Sequence, residues 1–218
     1  MRGYEMKKML VIQVSALLLV SGVLGGMFVC TNVYDDVLSG IVKVTCLSCI
    51  KLDYYTIKEF TFDTANKLPH PNFVLENLTK GPVFLEYSGD SCAGCVEMYP
   101  VIKQLFHVEF GEQEMFYKTI TFENYNVTFI YINIHHTTDD LKNSKQVYEK
   151  DGATAIPMFS VVTLGYDNGV IRPYYTTLYG TLSVYGYDTS EDRIAYLSEI
   201  LHESIEMYKQ NKAGYHQN

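Results

Sequence analysis

Two cysteines two residues apart, Cys92-Ala-Gly-Cys95, carry the most specific chemistry in this sequence. They follow PVFLEY, a compact apolar run, and a polar Ser88-Gly89-Asp90-Ser91 stretch suited to a loop and a helix cap. At that spacing in a first helical turn, two sulfurs lie within bonding reach and can form and open a disulfide. A helix N-terminus offers free backbone N–H groups and a partial positive charge, and both favour a thiolate over a thiol. On this reading Cys92 is the attacking sulfur, and Cys95, one turn inside, resolves the mixed disulfide. Ala93 and Gly94 are small enough to leave Cys92 open to a macromolecular substrate.

A second pair, Cys46-Leu-Ser-Cys49, has the same spacing without the strand-to-helix setting. It reads as a relay that passes electrons between a membrane partner and Cys92–Cys95, or as a structural disulfide in an oxidising compartment. A third reading is a four-thiolate zinc site shared with Cys92 and Cys95. The two pairs stand much further apart than the ~15–20 residues of a zinc ribbon, so zinc is the weakest of the three. His135-His136 with Asp139-Asp140 falls at a strand-to-helix corner and reads as solvated loop in preference to a metal site. The tyrosines from Tyr174 to Tyr187 fit a peptide-binding face or edge-strand packing equally well. Asn77-Leu-Thr79 and Asn126-Val-Thr128 match the glycosylation acceptor pattern.

The elements that must position these residues show in the patterning. YYTIKEFTF, from Tyr54, alternates apolar and polar side chains and predicts a strand. His70-Pro71 breaks the chain, and FVLENLTK has helical spacing closed by Gly81-Pro82. After the PVFLEY strand, a helix is expected from Cys92 to about Phe110, with Val96, Tyr99, Ile102, Leu105 and Phe106 on its apolar stripe. A Glu/Phe/Tyr-rich insertion follows, then the strand YNVTFIYINI and the helix DDLKNSKQVYEK, acidic at its start and basic at its end. PMFSVVTL and GVIRPYYTTLYG read as strands joined at the turn Tyr166–Gly169. A last helix, capped by Ser190, runs to about Gln210. Buried strands alternating with helices imply an α/β fold: a central mixed sheet with helices on both faces and a terminal antiparallel hairpin.

From Tyr54 to about residue 210 the chain resembles the thioredoxin-fold proteins. PVFLEYSGDSCAGC is similar to the segment that leads into that family's active site. Glu86, six residues before Cys92, falls where the family carries a buried acid, and Pro100, five after Cys95, where its active-site helix carries a proline. Ile156-Pro157 matches the dipeptide whose proline is cis and faces the disulfide, and Gly180 a glycine near the active site after the last strand. The resemblance implies a thioredoxin-like fold in which Cys92 is nucleophile and Cys95 resolving thiol. It implies that Glu86 takes the Cys95 proton from beneath the pair. It also implies that Pro157 holds its loop beside the sulfurs, excluding metals and pairing with substrate backbone. No bound cofactor or metal is called for. The family's strand-buried lysine aligns with Tyr131, the tryptophan before the first cysteine is Ser91, and the usual Gly-Pro between the cysteines is Ala-Gly. These departures bear on the redox potential more than on the fold.

Met9 to Val29 carries no charge and is long enough, at about 30 Å as a helix, to cross a hydrocarbon core. Arg2, Lys7 and Lys8 precede it and Asp35 and Asp36 follow, which places the N-terminus in the cytoplasm and the rest outside. An uncleaved anchor is favoured over a cleaved signal, whose apolar core is shorter and ends in a small-x-small site. Cys30 follows Val29, where a lipoprotein signal would have a small residue, so it reads as a boundary residue. The expected organisation is a membrane anchor or signal segment over 1–30, a stalk with CLSC over 31–53, a thioredoxin-like domain over 54–210 and a tail over 211–218. Twenty-five acidic against 17 basic residues, with no Lys/Arg block, argue against nucleic acid. The function expected is a single-pass, extracytoplasmic thiol–disulfide oxidoreductase acting on protein thiols and disulfides. A membrane electron-transfer partner goes with the relay reading of Cys46 and Cys49. The rivals are a non-catalytic thioredoxin-like adaptor with a structural Cys92–Cys95 bridge and a zinc-bound interaction module.

Overall fold

The structure, a computed structural model, describes residues 59–111, 115–150 and 153–215. The expected anchor over 1–30, the stalk with Cys46 and Cys49, and residues 54–58 lie outside the described residues. Among the described residues no helix is long and apolar enough to cross a membrane.

The sheet grows outward from one strand. In β1 (Val83–Ser88) all six residues are buried, because β3 (Tyr125–Asn133) and β4 (Met158–Asp167) close its two edges and helices cover both faces. β1 runs parallel to β3 and antiparallel to β4. β2 (Met115–Phe122) pairs with β3, and β5 (Val170–Tyr179) with β4, giving the order β2-β3-β1-β4-β5. The mixed sheet expected from the sequence is therefore present. Strands buried on both faces explain why VFLEY and FIYIN read as nearly continuous apolar runs.

Side chains alternate across β1 and sort the helices into two layers. Phe84 faces a core built with α2 (Ala93–Phe106) and α4 (Ser190–Asn211), through Met98, Val101, Ile102, Leu105 and Phe106 of the one and Leu197, Ile200 and Leu201 of the other. Val83, Leu85 and Tyr87 face the opposite core, built with Val74 and Leu78 of α1 (Asn72–Leu78) and Val147 and Tyr148 of α3 (Asp139–Tyr148). By the same alternation Glu86 and Ser88 share the Phe84 face, the one that α2 covers.

Several expectations are corrected. In the described part of YYTIKEFTF no regular strand forms; a single antiparallel bridge joins Thr61 to Tyr175 at the outer side of β5. The insertion before Tyr125 supplies the sheet's other edge instead. MFYKTITF has β-branched and aromatic residues, and the Glu123-Asn124 turn (φ 47° and 65°) folds it back onto β3. Asn168-Gly169 makes the matching turn between β4 and β5, both residues having positive φ. α2 stops at Phe106, where His107 adopts a left-handed conformation, four residues short of the expected Phe110. α4 is capped by Thr189, whose hydroxyl accepts from the Asp192 N–H at 3.1 Å, so Ser190 is the first helical residue and not the cap. Val96 leaves the expected stripe and is 60% exposed.

Phe129 sits at the centre of the α2-side core, stacked on Phe106 (4.8 Å, 16°) and flanked by Phe84, Phe110 and Phe116. Phe129→Ala should cost about 3–5 kcal/mol, read as a lower urea midpoint with an unchanged slope. A loss below about 1 kcal/mol would show that this cluster does not anchor the sheet.

Candidate functional site

The site begins where β1 ends. Gly89 turns the chain at a point where a Cβ would stand 2.9 Å from Ile156 Cδ1 and 3.0 Å from His135 Cε1, so a side chain would displace both. Ser91 follows with φ 56°, and Cys92 takes the N-cap position of α2. Its sulfur accepts a hydrogen bond from the Cys95 N–H at 3.1 Å, doing for this helix what a serine oxygen does elsewhere. Cys92 and Cys95 are joined in a disulfide, with Cα atoms 5.2 Å apart. The two sulfurs are not equivalent: Cys95 is fully buried, while Cys92 is partly exposed. A nucleophile from solution can reach only Cys92 without unfolding the helix start.

Pro157, just before β4, lies against the first turn of the helix that carries the pair. The Ile156–Pro157 bond is cis, and the Pro157 ring lies against Gly94, where a Cβ would be 3.1 Å from Pro157 Cδ and 3.4 Å from Thr181 Cγ2. Gly180, at φ 69°, donates its N–H to the Pro157 carbonyl at 2.8 Å and so ties the end of β5 to the same corner. CAGC, Pro157 and Gly180 therefore meet. Pro100 lies inside α2.

Glu86 is fully buried in mid-strand, on the face of β1 covered by the helix that carries Cys95. Among the described residues no group donates a hydrogen bond to either carboxyl oxygen. Burial alone pushes the carboxyl up to about 8, so it is mostly neutral at pH 7. A neutral carboxyl within reach of a cysteine pair can donate a proton to a departing thiolate or, once ionised, take one from a thiol.

A second polar cluster surrounds Asp90, two residues before Cys92. Its carboxylate accepts from Asn133 Nδ2 at 3.1 Å and pairs with His136 Nε2 at 2.8 Å, while its backbone N–H donates to His135 Nδ1 at 2.8 Å. The Asn133 amide, and then the two imidazoles, hold the Asp90 carboxyl below the usual carboxylate range. The histidines thus pair with Asp90 in the loop before Cys92, whereas the sequence grouped them with Asp139 and Asp140. Among the described residues no group of three or more His, Cys, Asp or Glu could hold a metal.

Sequence reasoning also missed the apolar rim. Val96 and Val184 are each 60% exposed, and their chain neighbours Glu97 and Ser183 both bind the Arg193 guanidinium, at 2.6 and 3.1 Å. The signal for Val96 was its neighbour: it follows Cys95 directly, inside a first turn that cannot point inward everywhere. Of the tyrosines from Tyr174 to Tyr187, Tyr175 and Tyr179 are buried on the α1 and α3 side of the sheet, as packing requires. Asn77 is buried, donating to the Phe73 carbonyl and accepting from Tyr117, while Asn126 is exposed at the start of β3.

No family model and no curated protein matches this chain.

The raised Glu86 carboxyl has a defined effect on stability. The folded protein keeps this proton up to about pH 8, whereas the unfolded chain releases it near its ordinary 4.5. Between those values the native state binds more protons, so stability falls as pH rises, and the loss is complete above about 8. Glu86→Gln should remove this slope. It should match the wild type near pH 4 and exceed it by a few kcal/mol above pH 8, in urea titrations across that range. Equal differences at both ends would show that Glu86 is not held neutral.

Proposed function

We propose that this chain is a thiol–disulfide oxidoreductase with a thioredoxin-like domain over residues 54–210, exchanging disulfides with protein substrates through Cys92 and Cys95. The domain is extracytoplasmic and tethered to the cell membrane through the segment 1–30. One observation carries the reading above the others: a partly exposed Cys92 at the start of α2 is bonded to a fully buried Cys95, on the sheet face that also buries an unpartnered Glu86. A bridge that only braced the fold would gain nothing from one open sulfur or from a buried ionisable group. The position of Pro157 against Gly94 and the order of elements from β1 onward lend further support to the thioredoxin-like assignment.

In the oxidising direction a substrate thiolate attacks Cys92 Sγ. The Cys92–Cys95 bond breaks, its electron pair stays on Cys95, and the new thiolate takes the proton from neutral Glu86. A second substrate thiolate then attacks the substrate sulfur of the mixed disulfide. Cys92 leaves as a thiolate held by the helix start, the substrate gains a disulfide, and two electrons rest on the cysteine pair. The reducing direction runs through the same steps backwards, with ionised Glu86 taking the Cys95 proton. The exposed Val96 and Val184 offer apolar contact to a protein substrate near Cys92.

The test is the reduction potential, measured by thiol trapping of the protein across graded glutathione buffers. A reversible two-electron midpoint near about −270 mV indicates a reductant and one near about −120 mV an oxidant. A pair still oxidised below about −300 mV would make Cys92–Cys95 a structural bridge and leave the adaptor reading standing. Cys46→Ser/Cys49→Ser, titrated beside it, shifts the midpoint if the state of those cysteines is energetically coupled to the pair. Cys95→Ser should accumulate a covalent mixed disulfide with substrate at Cys92, and Cys92→Ser should abolish exchange.

A further inference from the structure

Cys92 caps α2 only while the loop before it keeps its course, and that loop has a costly conformation to hold. Ser91 sits at φ 56°, in the left-handed region that a residue with a side chain occupies only when its surroundings hold it there. The hold on its neighbour Asp90 comes from the end of β3. Asn133, fully buried, accepts the His135 N–H on Oδ1 at 3.0 Å and donates from Nδ2 to the Asp90 carboxylate, which sets the two residues side by side. The His135 ring then lies against Gly89, and its Nδ1 accepts the Asp90 N–H at 2.8 Å. A backbone N–H can only donate, so this bond exists only while Nδ1 carries no proton. The charged and titratable groups facing the ring are the Asp90 carboxylate, whose Oδ2 is 4.0 Å from the same Nδ1, and His136, whose Nε2 is 2.8 Å from that oxygen. Gly89, Ile156 and Asn133 bring no charge to the corner. About half of the His135 side chain is exposed, so solvent protons reach it directly.

We infer that His135 is a positioning residue for Cys92: its unprotonated Nδ1 holds the Asp90 N–H, and with it the loop that keeps Cys92 at the helix cap, and protonation of the ring releases that hold. The inference rests on the reading of Cys92 as the attacking sulfur. Once protonated, Nδ1 is a donor and turns to the Asp90 carboxylate, the partner 4.0 Å away, leaving the Asp90 N–H to water. Ser91 is then free to leave its left-handed conformation. Cys92 Sγ loses its fixed place at the Cys95 N–H, the donor that favours its thiolate. The reacting sulfur is thus held ready while His135 is neutral and is less available when the ring is charged.

The test is alkylation of the reduced full-length protein by iodoacetamide, an uncharged reagent, from about pH 5 to about pH 8, the range in which histidines change charge. The rate at Cys92 is read by peptide mass spectrometry. His135→Asn keeps an acceptor, since its Oδ1 can take the place of Nδ1, and it does not titrate. The ratio of the wild-type to the His135→Asn rate, in which the ordinary ionisation of Cys92 cancels, should be near unity at the alkaline end. It should fall about two- to tenfold toward the acid end, the span one net hydrogen bond commands. His135→Ala, with no acceptor, should be slower than the wild type by that factor at the alkaline end and match it at the acid end. His202→Asn, which removes an exposed histidine paired with Glu123, should keep the wild-type profile. A ratio constant across the range, or a wild-type rate in His135→Ala at the alkaline end, would overturn the role of His135. The reduction midpoint reports separately on the oxidoreductase reading: a redox-active midpoint with a constant ratio removes His135 alone, and a structural midpoint removes the reading and this role together.

Discussion

An ionisable side chain in the middle of a strand with no free edge and no free face is the constraint around which this domain is arranged. β1 is closed by β3 and β4 and covered by helices on both sides, so Glu86 is fully buried and, among the described residues, has no hydrogen-bonding partner. Leaving a polar group in that state costs free energy, and neutralising the carboxyl reduces the cost without removing it. The same strand fixes the start of α2, because Ser88, Gly89 and Asp90 are held to β3 through its backbone, Asn133 and the His135–His136 corner. The sulfur pair is therefore placed by the element that carries the acid. That shared placement is what the proposed exchange of a proton between the two would require.

Much of this was legible in the sequence because it is local. VFLEYS followed by a polar turn and two cysteines marks a strand feeding a helix start, and Asn168-Gly169 marks a hairpin. The edge at β2 was not legible: its turn is Glu123-Asn124, without the glycine that normally signals one, and its outer face is mostly exposed. Conversely, the alternation at Glu59–Phe62 looked like a strand but packs its aromatic rings, Phe60 and Phe62, against Tyr174 beside β5. Alternation reports a half-buried extended segment and does not say which edge, or whether any ladder, receives it. The polar cluster at Asp90 was illegible for a related reason. Asp90 and His135 lie 45 residues apart and meet only because β1 and β3 end side by side.

Tyr131 fills the layer beside Glu86 with an uncharged side chain. Its hydroxyl joins that of Tyr99, which in turn joins Ser88, while its ring fills space against Phe110 at 4.8 Å. A cation so placed would stabilise the ionised carboxylate; with a phenol there, burial keeps the neutral acid favoured at physiological pH.

The cap on α2 carries a mechanical consequence. A helix start normally depends on a separate capping side chain, but here the group that accepts the Cys95 N–H is a sulfur of the disulfide itself. A thiolate is a stronger acceptor than a disulfide sulfur, so on the proposed chemistry opening the bond would exchange a covalent brace for a tighter electrostatic one at the same two residues. The helix would then stay fastened at its first turn in both redox forms, with no need for the scaffold to loosen and re-form.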